Sequence, residues 1–277
     1  MINVLYAGNS GVFDGIVTSS LSMVKRLAAP RNITINILTM DVTRIDKKYV
    51  PITEKQTKFL EKVLQNYNEN TTVKLYDVTS VYEKEFKYNP NENTKWSPYT
   101  LLRLLIDLIG FKGKLLYLDA DVLFNKDVNL LYQLDVSGYE FLASRDYYGR
   151  VFISPNYINA GVVLFNLDKC NDTGLFLKMR KAINSKKMTY SDQTVLNNFA
   201  TNKKIISQRF NDQNKLYKST VIRHFSRRLF YLPYPHIANV KQWNVEKLRK
   251  TFNYTIFDDV IDEYLALKPS LERLSGS

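Results

Sequence analysis

The sequence predicts an α/β protein with a Rossmann-like, mostly parallel central sheet flanked by helices. Over roughly the first 120 residues, short apolar segments alternate with amphipathic helical ones, which is typical of a doubly wound sheet. Residues 114–118 (KLLYL) form an almost continuous apolar run, as expected for a central strand buried on both faces. No linker rich in Gly, Ser or Pro divides the chain, which favours a single domain.

The individual elements follow from local patterns. Strands are predicted at residues 1–8, 33–39, 73–78 and 114–118, and less regularly at 140–144, 158–166, 204–209 and 220–225. A helix is predicted at 14–27, a second begins at the capping box of Thr53 and Gln56, and a third runs from Ser97-Pro98 to Ile109. The single domain, residues 1–277, is expected to comprise a core over about 1–200, a smaller irregular basic and aromatic part over about 201–268, and a flexible tail over 269–277.

Composition limits the location and the partners. The one cysteine, Cys170, cannot form an internal disulfide and fits a reducing compartment. The sequence shows neither a membrane-span pattern nor a signal-peptide pattern, so we expect a cytoplasmic protein.

The window from Lys203 to Lys250 carries twelve Lys/Arg against two acids and is interleaved with aromatic residues. Such a composition suits a phosphate ligand, an anionic membrane or nucleic acid, and it also occurs on plain solvated surfaces. No nucleic-acid-binding motif accompanies it. We therefore expect no nucleic acid, and a peripheral contact with the inner face of the cell membrane as a hypothesis.

The most informative segment is LLYLDAD, residues 115–121, in which an apolar strand ends in two carboxylates. In an extended chain residues i and i+2 point the same way, so Asp119 and Asp121 can converge. Open α/β sheets bind ligands beyond the carboxyl ends of their strands. A divalent cation relieves the repulsion between such acids, and oxygen ligands suit Mg²⁺ or Mn²⁺. Turn formation at a strand end is the alternative explanation.

This segment, together with YTLLRL at 99–104, resembles glycosyltransferase family 8, the family of glycogenin and bacterial lipooligosaccharide galactosyltransferases. The resemblance extends over roughly residues 1–250 and implies a retaining enzyme of the GT-A fold. It implies a nucleotide-sugar donor, most commonly a UDP-sugar, with glucose or galactose as the sugar, and a glycan, glycoprotein or lipid-linked saccharide as the acceptor.

The resemblance also implies roles for individual residues. Contacts with the donor are implied for Tyr6, Ala7, Asn9, Arg103, Ala120, Asn159 and Ala160, in addition to Asp119 and Asp121. Catalytic positions beside the sugar are implied for Asp146, Asp192 and Gln193. The family usually has an acid where Asn9 stands. Transfer at the anomeric carbon can use a carboxylate nucleophile or front-face attack, and the sequence does not choose between them.

The third metal ligand implied by the resemblance is His224, with His236 as its rival because the chain has only two histidines. Near His224 the sequence departs from the family, which follows this histidine closely with Gly and then Lys-Pro-Trp. Here Arg227 occupies the Gly position and Lys241-Gln-Trp comes later. We therefore predict that Lys241 contacts the donor diphosphate, with Arg227 or Arg228 as alternatives.

A different enzyme class remains open. Phosphohydrolases of the haloacid dehalogenase type also end a strand in Asp-x-Asp, and here Asp119 would be their nucleophile. Those enzymes carry the motif near the N-terminus and need a later acidic pair, for which only Asp258-Asp259 qualifies.

Overall fold

The computed structural model describes residues 1–92, 94, 97–188, 191–230, 234 and 236–275. Its strands are β1 Ile2–Ala7, β2 Ile33–Thr39, β3 Thr71–Asp77, β4 Lys114–Leu118, β5 Val122–Phe124, β6 Phe141–Arg145, β7 Ile158–Asn166, β8 Lys203–Ile206, β9 Ile222–His224, β10 Arg228–Phe230 and β11 His236–Ala238. Its α-helices are α1 Phe13–Lys25, α2 Glu54–Gln65, α3 Thr79–Phe86, α4 Asn129–Tyr132, α5 Gly149–Phe152, α6 Leu167–Thr173, α7 Leu175–Ser185, α8 Ser191–Phe199, α9 Val245–Phe252 and α10 Asp258–Ser275. Shorter-pitch 3-10 helices occupy Ser10–Val12, Pro98–Leu108 and Gln208–Phe210.

The main sheet has seven strands in the order β3-β2-β1-β4-β7-β6-β8. β1 pairs in parallel with β2 and β4, and β7 pairs antiparallel with both β4 and β6. Among the described strands of this sheet, β7 is thus the one that runs against the others. The predicted α/β class with a mostly parallel central sheet is confirmed.

Alternate residues of β1 supply the cores on the two faces of the sheet. Val4 and Tyr6 pack into the cluster beneath α1, α2 and α10, whereas Leu5 packs into the cluster beneath α7 and α8. The apolar strand β4 is likewise buried on both faces, at Leu116 on one and Tyr117 on the other. The strand that ends at the paired carboxylates is therefore held rigidly at the centre of the molecule.

Two short ribbons lie outside this sheet. β9 pairs antiparallel with β5, and β10 pairs antiparallel with β11. The strand predicted at 220–225 is shorter than expected, since β9 covers only Ile222–His224. Its partner, β5, directly follows the paired carboxylates.

Several elements differ from the sequence predictions. The helix predicted after Ser97 starts there, with the Ser97 side chain accepting from the Tyr99 backbone N–H, but it is 3-10 rather than α over Pro98–Leu108. Such long 3-10 runs are uncommon. The segment predicted as a flexible tail is helical as far as Ser275, because α10 packs on α1 and α2. Within the described ranges, no helix combines the length and the apolar character that a membrane span requires.

The burial of β4 leads to a prediction about stability. Leu116→Ala removes a fully buried side chain and leaves a cavity under the paired carboxylates, so we expect the free energy of unfolding to fall by about 2–5 kcal/mol. The midpoint of denaturant unfolding measures this change. The matched control is Leu177→Ala at a side chain that is 48% exposed, where the change should stay within about 0.5 kcal/mol. Equal effects in both variants would contradict the central position of β4.

Candidate active site

The two carboxylates at the end of β4 are held by backbone hydrogen bonds to different neighbours. The Asp119 N–H donates to the carbonyl oxygen of Gly161 on β7 at 2.8 Å. The Asp121 carbonyl oxygen accepts from the Phe225 N–H, also at 2.8 Å. Since both neighbours are extended backbone, the two aspartates have defined positions at the sheet's carboxyl edge, as the sequence predicted for this strand.

The pairing of β9 with β5 brings His224 to the same point. Val122 lies opposite His224 in the register, so the imidazole meets the residue just before Val122. Its Nε2 lies 3.1 Å from Asp121 Oδ1 and 3.9 Å from Asp119 Oδ2. One candidate ligand atom from each of these three residues falls within 4.8 Å of the others. Two carboxylate oxygens and one imidazole nitrogen at this spacing fit a divalent cation.

Gly161 makes room for this cluster. A Cβ at this position would overlap the His224 ring and would lie 2.8 Å from Asp119 Oδ2. Glycine at this point of β7 is therefore required by the close approach of the His224 and Asp119 side chains, not by backbone conformation. His236, the rival histidine, is on β11, where its ring stacks on Phe230 with 5.7 Å between the centroids.

A chain of hydrogen bonds orients the imidazole of His224. Asp146 Oδ2 accepts from Asn159 Nδ2 at 2.9 Å. Asn159 Oδ1 accepts from the Gly161 N–H and from Asn211 Nδ2. Asn211 Oδ1 then lies 2.9 Å from His224 Nδ1.

The direction of this chain follows from its first acceptor. Because an ionised carboxylate only accepts, Asp146 sets which end of the Asn159 amide donates, and Asn159 in turn sets the Asn211 amide. The Asn211 oxygen is left to accept from Nδ1–H, so Nε2 is the nitrogen of His224 that faces the carboxylates and would bind a metal ion. A hydrogen bond of this kind fixes the tautomer that binds metal.

Arg103 lies beside this cluster on the long 3-10 helix and is almost fully buried. Its Nη2 donates to Asp119 Oδ1 at 2.9 Å, its Nε lies 3.0 Å from Asp192 Oδ2, and its Nη1 donates to the Ala160 carbonyl. The guanidinium also stacks on Tyr117 at 4.0 Å. Burial would lower the pKa of Arg103, but the carboxylates of Asp192 and Asp119 and the Tyr117 ring hold it above its ordinary value.

Asp192, at the start of α8, is an almost fully buried acid. Burial raises its pKa to about 6, although the charge of Arg103 opposes this rise. The neighbouring Gln193 accepts from the Ala160 N–H at 3.0 Å and donates to Asp146 Oδ2 at 3.4 Å. α8 thus contacts both the metal-type cluster, through Arg103, and the start of β7 at Asn159 and Ala160.

Asp146 connects the start of β7 to the start of α5. Its Oδ1 accepts from the backbone N–H groups of Tyr148 and Gly149, at 3.1 and 2.6 Å. Its Oδ2 accepts from Asn159 and Gln193. Both carboxylate oxygens are therefore already engaged by the protein.

Lys241 contacts the opposite side of Asp121. Its ammonium donates to Asp121 Oδ2 and to the Phe225 carbonyl. Burial by itself would raise the pKa of Asp121, but Lys241 and His224 outweigh it and hold that pKa well below its usual range. Arg228, one of the alternative diphosphate contacts, instead donates to the Asn214 carbonyl.

An open cleft lies in front of the cluster. It is lined by Ala7, Gly8, Asn9, Val12, Ser97, Tyr99, Thr100, Arg103, Tyr117, Asp119, Ala120, Asp121, Lys241 and Trp243. Of the predicted donor contacts at the N-terminus, Ala7 and Asn9 are in this lining. Tyr6 is not: its ring is in the core under α1, and its hydroxyl lies 2.8 Å from the Ser19 hydroxyl oxygen. Alternation along β1 explains this, because Tyr6 and Ala7 point to opposite faces.

Two further contributors to the cleft were not singled out from the sequence. Trp243 packs over α1, where a Cβ at Gly15 would overlap its ring. The buried Gln242 donates to the Ala120 carbonyl at 2.7 Å. Both residues adjoin Lys241, so the whole Lys-Gln-Trp segment packs against the turn between the two aspartates. The Lys-Pro-Trp pattern quoted for the family was the signal that could have identified Trp243.

Comparison with known proteins agrees with this arrangement. Residues 3–247 match the family described as Glycosyl transferase family 8. The chain belongs to glycosyltransferase family 8. A relative in this comparison, a protein named as a glycosyltransferase from Haemophilus influenzae, is 26% identical over 224 residues, which cover 76% of this chain and 63% of that protein. Glycosyltransferase GlyA of Streptococcus pneumoniae is 32% identical over 102 residues, 36% of this chain and 15% of that one. This family 8 chain thus spans less than two thirds of the length of these relatives.

Solved structures show the same fold. The bifunctional glycosyltransferase WbbM superposes with a TM-score of 0.71 at 16% identity, over 100% of this chain and 52% of that one. The galactosyltransferase LgtC, solved in complex with donor and acceptor sugar analogues, gives a TM-score of 0.66 at 19% identity, over 95% and 96% of the two chains. The predicted GT-A architecture of this family 8 chain is thereby confirmed.

The phosphohydrolase alternative gains no support from these findings. The acidic pair it requires opens α10, where Asp259 is bonded to Arg26 at 2.7 Å and Asp258 lies 3.6 Å from Arg249. α10 packs on α1 and α2. These acids are therefore engaged with surface arginines on a helix and are absent from the lining of the cleft in front of Asp119.

The chain of hydrogen bonds through Asn211 leads to a prediction about metal affinity. Asn211→Leu removes the acceptor for His224 Nδ1–H, and we expect Mn²⁺ to bind about 10–100-fold more weakly. Titration calorimetry with Mn²⁺ alone measures this affinity without substrate. The control is Asn171→Leu at an exposed position of α6, which should bind as the parent does. An unchanged dissociation constant in Asn211→Leu, with the fold intact, would contradict the role of this hydrogen bond in orienting His224.

Proposed function

We propose that this chain is a Mn²⁺-dependent retaining glycosyltransferase that transfers a hexose, glucose or galactose, from a UDP-sugar to a hydroxyl of a glycan, glycoprotein or lipid-linked saccharide. The observation that carries this proposal is the convergence of Asp119, Asp121 and His224 at the carboxyl end of β4, facing a cleft that the β1 turn also lines. Membership of family 8 supports the reaction class. The donor and acceptor analogues in the LgtC complex belong to that protein and support the choice of substrates by analogy.

The donor set suits Mn²⁺ better than Mg²⁺, because a borderline imidazole nitrogen accompanies the two hard carboxylate oxygens. When bound, such an ion would supply Lewis-acid neutralisation of the diphosphate leaving group. The chain's own contribution is to keep Asp121 ionised, to hold the two aspartates close together and to hold His224 in the tautomer that can bind.

Lys241 is assigned to the diphosphate as its sugar departs. Its ammonium already lies in the cleft beside Asp121, and its flexible stem allows it to turn from that carboxylate to a phosphate oxygen. A cation placed where negative charge develops stabilises the transition state, and removing one such group commonly lowers kcat by about 10²–10³. Arg227 and Arg228 are outside the lining of the cleft, which favours Lys241 over them.

The sugar side of the site is assigned to the start of β7 and to α8. Arg103 crosslinks Asp119 to Asp192, so the metal-type cluster and the start of α8 keep a fixed separation. Gln193 and Asp146 hold the start of β7 at Asn159 and Ala160, which leaves backbone and amide groups in position for sugar hydroxyls. Ala7, Asn9 and Ala120 line the other part of the cleft and are assigned to the nucleoside.

The reaction class is tested by incubating the protein with Mn²⁺ and separate UDP-, GDP- and dTDP-sugars and measuring the free nucleoside diphosphate. We expect slow hydrolysis of one UDP-hexose, which stops on chelation of the metal. Asp121→Asn should reduce this release by at least about 10²-fold, since it removes a ligand charge. The matched control is Asp172→Asn at an exposed carboxylate of α6, which should be as active as the parent. Release that is indifferent to chelation, or cleavage of simple phosphate esters instead, would overturn the proposal.

A second variant separates Lys241 from its alternatives. Lys241→Met should lower the rate of donor hydrolysis by about 10²–10³-fold while Mn²⁺ still binds, because the lysine is not a metal ligand. Arg227→Met is the comparison, and we expect little change in either measurement. A larger loss in Arg227→Met than in Lys241→Met would reverse the assignment.

Peripheral contact with an anionic membrane is also part of this proposal. The basic and aromatic segment between Lys203 and Lys250 motivates it. Such contact would bring the cleft to a lipid-linked or membrane-bound acceptor.

A further inference from the structure

Helix α5 presents a run of consecutive exposed apolar side chains. Val151, Phe152 and Ile153 are 70%, 78% and 51% exposed. Single exposed apolar residues are common on soluble proteins, but a contiguous run of large ones marks a contact surface. We call these three residues the apolar ridge.

The ridge is held in place by the sugar side of the candidate site. Asp146 accepts from the backbone N–H groups of Tyr148 and Gly149, which begin α5. A Cβ at Gly149 would overlap the Tyr157 ring, so the helix start packs closely on the following segment. The ridge is therefore exposed on a short helix whose start is fixed by Asp146 before it and by Tyr157 after it.

The ribbon of β10 and β11 continues this surface. The Tyr148 hydroxyl accepts from the Leu229 N–H at 2.9 Å, so β10 lies against the start of α5. Leu229 is directly opposite Ile237 in the ribbon, and side chains of opposed residues share one face. The other face carries Phe230 and packs on Phe252. Ile237, which is 72% exposed, therefore faces away from the protein body.

The exposed charges beside this surface are basic. Arg145 before α5, Arg150 on α5 and Arg227 beside β10 are exposed. Asp146, the acid next to α5, has both carboxylate oxygens engaged in hydrogen bonds within the protein. An apolar protrusion with a basic surround is complementary to an anionic lipid surface, where apolar side chains enter the acyl boundary and cations meet the headgroups.

We propose that the apolar ridge, together with Ile237 of the ribbon, inserts into the interface of an anionic lipid bilayer. This inference rests on the proposed function, because it names the surface by which a glycosyltransferase would reach a membrane-bound acceptor. The exposed arginines around the ridge favour an anionic lipid surface over a soluble protein partner as the occupant. Docking at α5 places the bilayer beside Asp146 and thus next to the sugar side of the cleft.

The test is co-sedimentation with vesicles of phosphatidylcholine containing about one-third phosphatidylglycerol, at roughly physiological salt. The parent protein should pellet with these vesicles and stay in the supernatant with pure phosphatidylcholine. The triple variant V151S/F152S/I153S should lower the partition coefficient by about tenfold or more. The matched control is L130S/L177S/L265S, which changes three exposed leucines on α4, α7 and α10 and should bind as the parent does.

A second variant reports insertion directly. Phe152→Trp should show a blue-shifted emission with anionic vesicles and quenching by lipids brominated in the acyl chain, relative to the parent. Leu177→Trp should show neither change. Quenching at position 152 equal to that at 177 would overturn insertion of the ridge.

The remaining outcomes separate this inference from the proposed function. Donor hydrolysis without vesicles should be the same in V151S/F152S/I153S and in the parent. Absence of metal-dependent hydrolysis in the parent, alongside normal vesicle binding, would sink the proposed function and leave the docking surface standing. Failure of the parent to bind, or equal binding by the triple variant, would overturn the docking surface alone. Loss of transfer to a water-soluble acceptor with unchanged vesicle binding would assign the ridge to the acceptor and overturn its insertion.

Discussion

The arrangement of this site depends on one electrostatic constraint, the close placement of two carboxylates at the end of a buried strand. Asp119 and Asp121 repel each other, and the buried Asp121 has little solvent around it to screen the charge. The protein neutralises the two carboxylate charges with different side chains. Arg103 donates to Asp119 from beneath the cleft, whereas His224 and Lys241 approach Asp121 from the C-terminal part of the chain.

These compensating groups differ in how firmly they are held. Arg103 is buried and bonded to Asp119, Asp192 and a backbone carbonyl, so it remains in place when a ligand arrives. Lys241 reaches Asp121 on a flexible stem from a partly exposed position. A cation entering the cluster would therefore compete with Lys241 and not with Arg103. The ammonium displaced from Asp121 would then be available for the donor phosphates that we propose as its ligand.

Much of the fold follows from local signals in the sequence. Three signals predicted the bounds of their elements to within a few residues of those observed. They are the apolar run of β4, the capping box at Thr53 and Gln56, and the Pro after Ser97. The paired aspartates were identified for the same reason, because strand geometry alone makes residues i and i+2 converge. The reversal of β7 was not predicted, since the direction of a strand depends on which neighbour it pairs with and not on its composition.

Residues that reach the site from distant parts of the sequence could not be predicted from local patterns. Asn211 carries no periodic signal, and its role appears only because it lies between Asn159, 52 residues away, and His224, 13 residues away. The choice of His224 over His236 came from a family resemblance, and its physical basis is the register of β9 against β5. Tyr6 was predicted to contact the donor, and alternation along β1 directs its side chain into the core.

By itself, the sequence determined an α/β sheet whose central apolar strand ends in two carboxylates, because burial and period-two geometry are local properties of the chain. Only the tertiary structure decided which groups neutralise those carboxylates and which tautomer His224 adopts. Those outcomes depend on hydrogen bonds and strand pairings between separate elements, and His224 and Lys241 come from segments about one hundred residues beyond the aspartates. The exposed ridge on α5 is likewise a tertiary result, since Val-Phe-Ile in a sequence is ordinarily expected to be buried.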